Sequence, residues 1–334
     1  MAKIQYPDKL KLAQLPTPIT QMKALSKLAS RFQDTRIFVK RDDINHGAAA
    51  GNKIRKLEFI FADAIKQQAQ VVMTCGGVQS NHARATAILA RELGLDSVLF
   101  LRGDQPDKIQ GNLMLDLMVG ARVIFVTAEQ YAHMPELFQH MTESYAAEKI
   151  KAYPIAEGGS NAYGVLGYVA AVEEIGKQLG TSGLPDHFSS IVCATGSGGT
   201  YAGLLLGSIA MDWHLDQTPV FTFNICKTAA EFKSRITQLL VGTIQQFKLP
   251  YSFMTDDIQV IDGYVGPGYA QATPEMIAFI QEVAQTDGLL LEPVYTGKAM
   301  FGLIQELIAS PERASRFGRD ILFIHTGGLA SLFA

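Results

Sequence analysis

The stretch Ser190-Ile-Val-Cys-Ala-Thr195-Gly-Ser-Gly-Gly-Thr200-Tyr-Ala-Gly-Leu-Leu-Leu206 runs from an apolar segment through a glycine-rich turn into a second apolar segment. Its first part reads as a buried strand and its second as the opening of a helix over 199–209. A strand that ends in a polar turn and feeds a helix is the unit from which α/β folds are built. The same alternation extends in both directions. Strands are predicted over 36–39, 71–74, 97–101, 122–126, 190–194, 220–224 and 320–325, and helices over 53–69, 82–93, 111–119 and 164–179. The chain therefore reads as α/β around a largely parallel sheet. In such sheets ligands bind beyond the carboxyl ends of the strands. That directs attention to the turn from Thr195 to Thr200 and to a second one, Cys75-Gly-Gly-Val-Gln-Ser-Asn-His82.

Composition bounds the function. With 334 residues the chain can bury a large core, as two domains or one large unit. It is 48% hydrophobic and 18% charged with a net charge of −3, a balance that gives no reason to expect nucleic acid or a membrane surface as partner. The first thirty residues carry scattered lysines and no continuous apolar core of a secretory signal, and no stretch reaches the length of a membrane span. Cys75, Cys193 and Cys226 are odd in number and widely spaced, with no metal-binding pattern, which fits free thiols in a reducing, cytoplasmic compartment.

The turn after strand 190–194 can hold a phosphate, or be a glycine-rich tight turn with no ligand. Gly196, Gly198 and Gly199 allow close backbone approach, Ser197 and Thr200 bring hydroxyls, and the helix N-terminus adds unpaired N–H groups and a favourable dipole. A Walker A loop would end in Gly-Lys-Ser/Thr, and no lysine is present; a dinucleotide loop would have glycine where Tyr201 stands. A phosphate monoester on a small cofactor suits it better than either nucleotide. Gln79-Ser-Asn-His82 opens another helix, where Ser80 or Asn81 can cap and the same N–H groups, with Ser80 and His82, can take a carboxylate. Lys53 follows the small-residue run Gly47 to Gly51 at the start of a helix, a placement that disfavours its charge and favours a nucleophilic amine. The segments Glu292-Pro-Val-Tyr-Thr-Gly-Lys298, Phe323-Ile-His-Thr-Gly-Gly328 and Gly263-Tyr-Val-Gly-Pro-Gly-Tyr269 are polar where a core would be apolar. No carboxylate pair, HExxH or GxSxG pattern appears.

Together these motifs resemble one family. Leu15-Pro-Thr-Pro-Ile19, Val39-Lys-Arg-Asp-Asp43, Gly51-Asn-Lys-Ile-Arg-Lys-Leu-Glu58, the run from Thr74 to Thr86, Glu157-Gly-Gly-Ser-Asn161, Thr195 to Thr200, Glu292 to Lys298 and His325 to Gly328 follow the order and spacing of the 1-aminocyclopropane-1-carboxylate (ACC) deaminase and D-cysteine desulfhydrase family. These are fold-type II pyridoxal 5'-phosphate (PLP) enzymes, tryptophan synthase β-like, with two open, twisted, mostly parallel sheets flanked by helices. The resemblance implies a large domain of residues 1–55 plus 166–334, a small inserted α/β domain of 56–165, and a homodimer. It implies that Lys53 carries the cofactor as a Schiff base and shuttles the Cα proton, with Ser80, Tyr269 and Tyr295 as further catalytic residues. Thr195, Gly196, Ser197, Gly198, Gly199 and Thr200 would cradle the phosphate, Asn81 would meet the ring hydroxyl, and Thr296 and Thr326 would lie near the pyridine nitrogen. Ser80, Asn81, His82, Tyr269 and Tyr295 would surround the substrate.

Two departures bear on substrate. Family members usually carry Gly-Gly before Asn-Lys; position 50 here is alanine, strained if that residue needs a positive φ. The resemblance implies glutamine and glutamate in ring-opening deaminases where this chain has His82 and Thr296. A neutral threonine near the ring nitrogen would weaken the electron sink, which favours β-elimination from D-cysteine to pyruvate, sulfide and ammonia over ring opening. ACC, another β-substituted amino acid such as cysteate, and a non-catalytic phosphate-binding role are the alternatives, and the substrate enantiomer stays open.

Overall fold

The apolar runs assemble into two sheets in the computed structural model, which describes residues 4–181, 183–213 and 218–334. In chain order the strands are β1 (Ile19–Met22), β2 (Arg36–Arg41), β3 (Val71–Gly77), β4 (Asp96–Arg102), β5 (Arg122–Val126), β6 (Ala152–Pro154), β7 (Ser190–Thr195), β8 (Val220–Asn224), β9 (Gln259–Ile261) and β10 (Asp320–His325). One sheet has the order β1-β2-β10-β7-β8-β9, the other β5-β4-β3-β6. Every pairing is parallel except β1 with β2, with Ile37 opposite Ile321 and Val72 opposite Ser97 fixing the two registers. The interior strands are buried along nearly their whole length, as parallel strands covered on both faces must be.

The helices that bear on function are α1 (Asn52–Lys66), α2 (Asn81–Glu92), α3 (Gly111–Met118), α4 (Ala162–Gln178), α5 (Gly199–Ala210), α6 (Ala229–Gln246) and α7 (Thr296–Ala309). Helix α1 serves both layers. Its Phe59 packs with Phe38 and Ile191 of the six-stranded sheet, while Ile54, Leu57, Ile60 and Phe61 pack with Val72 and Leu89 of the four-stranded layer. Its N-terminus, where Lys53 lies, is therefore held between the two. The four-stranded sheet draws all its strands from residues 71–154, and the sequence-based boundaries at 55/56 and 165/166 fall inside α1 and α4.

A buried ionic network anchors α1. Arg55, 2% exposed, donates to both carboxylate oxygens of Asp42 at 2.8 Å and to Glu174 of α4 at 2.9 and 3.0 Å. Lys40 of β2 also donates to Glu174, and Tyr168 donates to Asp42 at 2.6 Å. Burial pushes Glu174 up, but Arg55 and Lys40 overcome it and hold the carboxyl down at about 2. Among the described residues no helix is long and apolar enough to cross a membrane.

Candidate active site

The carboxyl ends of β3 and β7 and the N-termini of α1, α2 and α5 meet around a cavity of about 450 Å³. Lys53 reaches it because the preceding turn is stitched to the end of β10. Gly51 exchanges two hydrogen bonds with the Asn45 side chain at 2.9 and 3.0 Å, and the Asn52 N–H donates to Thr326 at 3.1 Å. Gly51 has φ 130°, and a Cβ there would stand 2.7 Å from the Thr326 carbonyl oxygen, so only glycine fits. The positive φ falls on Gly51 and not on Ala50, so the alanine carries no strain of that kind. The Lys53 ammonium donates to Asn52 Oδ1 at 3.0 Å. Burial, then the Arg84 charge, lowers its pKa to about 8 against the opposing pull of Glu157 and Glu292.

The glycine-rich turn has the form of an anion cradle. Gly198 is left-handed at φ 87° and caps α5, whose first N–H groups have no acceptor within the helix. A Cβ on Gly196 would stand 2.7 Å from the Tyr295 ring, so glycine keeps the turn open against that side chain. Thr195 Oγ1 is buried with no partner, Ser197 Oγ lies 2.8 Å from Ser160 Oγ, and Thr200 Oγ1 accepts from Asn52 at 2.9 Å. An orphaned hydroxyl, an open helix N-terminus and a turn cleared of side chains fit the phosphate of PLP. Gly199 stands behind the turn, its N–H donated to Ser160 at 3.2 Å. Beneath it lies Lys56, fully buried, whose ammonium donates to Gly158 O at 3.1 Å and whose pKa burial drives well below its usual value.

At the opposite wall Ser80 caps α2, accepting from the Ala83 N–H at 3.2 Å, which leaves its own proton free. His82 lines the cavity as a neutral ring. The Thr74 hydroxyl spends its proton on Ile155 O at 2.9 Å, so at 2.8 Å it accepts from His82 Nε2–H and leaves Nδ1 as a bare, buried acceptor. Burial and the Lys53 and Lys56 charges hold its pKa well below the ordinary value. Toward a substrate carboxylate, which the sequence reading placed near Ser80, Asn81 and His82, this ring therefore brings no positive charge.

Tyr269 and Tyr295 share a hydroxyl–hydroxyl hydrogen bond of 2.7 Å with their rings at 76°, and burial raises both phenols. The Tyr269 loop is pinned by Lys298 of α7, which donates to Val265 O and Gly268 O at 2.6 and 2.7 Å. Thr326 lines the cavity, but Thr296 does not. It is fully buried behind the wall, its N–H and hydroxyl taken up by Glu292, whose carboxylate caps the start of α7. The expected pair of threonines is thus reduced to Thr326.

The mouth was not legible in the sequence. Arg102 lies over the Tyr131 ring at 5.1 Å, Tyr131 donates to Glu157 Oε1 at 2.7 Å, and Glu157 Oε2 faces Arg235 of α6 at 3.6 Å. Cys226, Lys227 and Asn52 also line the cavity. Glu157 and Asn52 stood inside quoted motifs, but Tyr131 and Arg235 lie on helices that carry no motif. Among the described lining residues, four cations, Lys53, Arg102, Lys227 and Arg235, stand against one carboxylate, Glu157, so the cavity attracts anions.

A buried lysine of lowered pKa beside an anion cradle, in a cleft between two parallel sheets, defines an α/β enzyme that handles an anionic cofactor through an amine. The model of the family described as "Pyridoxal-phosphate dependent enzyme" matches residues 10–327, and the chain belongs to that family: it is a PLP-dependent enzyme. It is 40% identical over 327 residues to a putative ACC deaminase of Thermotoga maritima, covering 98% of each chain. It is 40% identical over 330 residues to the mitochondrial bifunctional D-cysteine desulfhydrase/ACC deaminase of Arabidopsis thaliana, covering 96% of this chain and 78% of that one. A crystal structure of an ACC deaminase homologue superposes with a TM-score of 0.84 at 34% identity, covering 98% of this chain and 93% of the other. The fold is that of the fold-type II PLP enzymes.

Proposed function

We propose that this enzyme catalyses β-elimination on a small amino acid, with D-cysteine the preferred substrate and pyruvate, sulfide and ammonia the products. PLP, when bound, supplies the electron sink for the Cα carbanion. The observation that carries the reading is the absence of any carboxylate on the inner wall: among the described lining residues only Glu157 is acidic, and it is held at the mouth by Tyr131 and Arg235. A cavity without an acid beside the ring suits removal of an activated α-proton and loss of a thiol, and is poorly equipped to open an unactivated cyclopropane. Lys53, with a pKa of about 8, is the base for the α-proton. The Ser80 hydroxyl and the α2 N-terminus hold the substrate carboxylate. In the Tyr269–Tyr295 pair one hydroxyl donates to the other, which leaves one proton for the departing sulfur. ACC deamination is the second reading, favoured by the Thermotoga relative. Sulfide and pyruvate release from each cysteine enantiomer, beside ammonia release from ACC, decides between them. The expected result is sulfide from D-cysteine at a kcat/KM at least about tenfold above that for ACC; ammonia from ACC without sulfide from either enantiomer would overturn it.

The molecule is proposed to work as a homodimer of two-domain subunits, the small domain being residues 56–165. Support comes from an apolar surface on α3 and the C-terminal turn Leu329–Phe333, where Met118 and Phe333 are 73% and 70% exposed beside Met114, Leu117 and Leu332. A Met118→Asp, Phe333→Asp variant should run as a monomer in size-exclusion chromatography with light scattering, where the wild type runs at twice the chain mass. Three free thiols, two of them buried, fit the cytoplasm.

A further inference from the structure

Asn81 lines the cavity, and its side-chain amide offers an acceptor oxygen at one end and a donor nitrogen at the other. Which end faces inward is decided outside the cavity. Asn112 of α3, fully buried, donates its Nδ2 to Asn81 Oδ1 at 3.0 Å and to Gln79 O at 2.9 Å, and accepts on its own Oδ1 from Arg84 Nη1 at 3.1 Å. Each of these roles is forced. A guanidinium can only donate, so the Asn112 atom facing Arg84 is the oxygen; a backbone carbonyl can only accept, so the atom facing Gln79 is the nitrogen. The Asn81 atom facing that nitrogen is then an oxygen. Its Nδ2 points the other way, and among the described residues it has no protein acceptor; a Cβ on Gly328 would stand 3.3 Å from it. Gln79 closes the arrangement, accepting from the Asn112 N–H at 2.7 Å.

Arg84 is itself fixed. It is 4% exposed, and its Nη2 donates to the carbonyl of Ala50, three residues before Lys53, at 2.9 Å. Burial lowers its pKa to about 10 against the pull of Asp116, so it remains a charged pure donor at neutral pH. One guanidinium thus grips the turn before the lysine and sets, through Asn112, the sense of the Asn81 amide.

We propose that Asn112, backed by Arg84, is a positioning residue that locks the Asn81 amide with its NH₂ toward the cofactor, so that the site presents a donor and never an acceptor to the oxygen on the PLP ring. This rests on PLP occupying the Lys53 cavity. An Asn81 amide free to turn would place oxygen against oxygen in part of the molecules, weakening cofactor binding and altering the electronics of the ring.

The test is a double-mutant cycle read on cofactor affinity and on the visible absorption band, not on turnover. Asn112→Asp keeps shape and removes the donor toward Asn81, while Asn112→Ala removes the constraint without imposing the wrong sense. PLP titrated into apoprotein should bind about tenfold more weakly to the first and about threefold more weakly to the second, with a displaced band in both. In an Asn81→Ala background the same changes should move the affinity less than about twofold. A loss of equal size in both backgrounds, or wild-type affinity and band in Asn112→Asp, would overturn the proposal. If Asn112→Asp does not fold, the Asn112→Ala pair completes the cycle. A Lys53→Ala protein run alongside tests the cofactor's placement separately: a retained borohydride-fixable band there would sink the placement, and the inference with it.

Discussion

Replacing Lys53 by alanine is expected to lower turnover by at least about 10³-fold and to give protein whose PLP is not fixed by borohydride. The side chain combines two roles that no neighbour can assume. Lys56 is the nearest alternative amine in sequence, but it is buried beneath the glycine-rich turn with its ammonium on Gly158 and does not line the cavity. Lys227 lines the cavity from the mouth and is exposed. The wild-type amine should also declare itself through pH. Its pKa of about 8 means that capture of PLP by apoprotein should quicken about tenfold per pH unit below 8 and level off above, because only the neutral amine attacks the aldehyde. Stopped-flow absorbance from about pH 6 to about pH 9 measures this directly. Undiminished sulfide or ammonia release from Lys53→Ala would remove the lysine from the mechanism altogether.

Arg55→Met should destabilise the fold by about 3–5 kcal/mol, a large share of the roughly 5–15 kcal/mol that holds such proteins folded. Methionine fills a similar volume, so the loss is electrostatic: Asp42 and Glu174 would keep their charges in a buried site without the guanidinium that satisfies them. Urea unfolding of wild type and variant, compared at equal m-values, measures it. The same network sets the acid limb of stability. Glu174 titrates near 2 in the folded protein against about 4.5 in the unfolded chain, so the unfolded chain takes up the proton first and acid favours unfolding. Its contribution is intact above about pH 4.5, declines as pH falls and is gone by about pH 2. Arg55→Met should flatten that limb. Because the network anchors α1, cofactor affinity should fall with it.

The interior of the fold was legible, and of the four edge strands only β5 was. The predicted strands recur in the structure within three residues at either end: those inside the sheets are apolar runs buried on both faces, and the edge strand β5 keeps the apolar run Val-Ile-Phe-Val although only Val126 is buried. The three that escaped notice, β1, β6 and β9, each lie at a sheet edge and have three or four residues. An edge strand half open to solvent needs no apolar run, so nothing in its composition sets it apart from a loop. The mouth escaped for a different reason: Tyr131, Glu157 and Arg235 are far apart in the chain, and no local rule brings them together.

What the sequence determined by itself were the local devices: a glycine turn between strand and helix that can hold a phosphate, a capped helix start at Ser80 or Asn81, and a lysine placed after small residues at a helix N-terminus. Each works within a few residues of backbone, so its chemistry can be read from neighbours alone. The tertiary structure decided which of the polar side chains face the cavity and in what state. It set Thr296 behind the wall and left Thr326 alone at the cavity, and it made His82 a neutral ring through Thr74. It lowered the Lys53 pKa by burial, and turned the Asn81 amide through Asn112 and Arg84. Burial, tautomer and amide sense depend on partners distant in the chain, and they exist only once the two sheets have closed on each other.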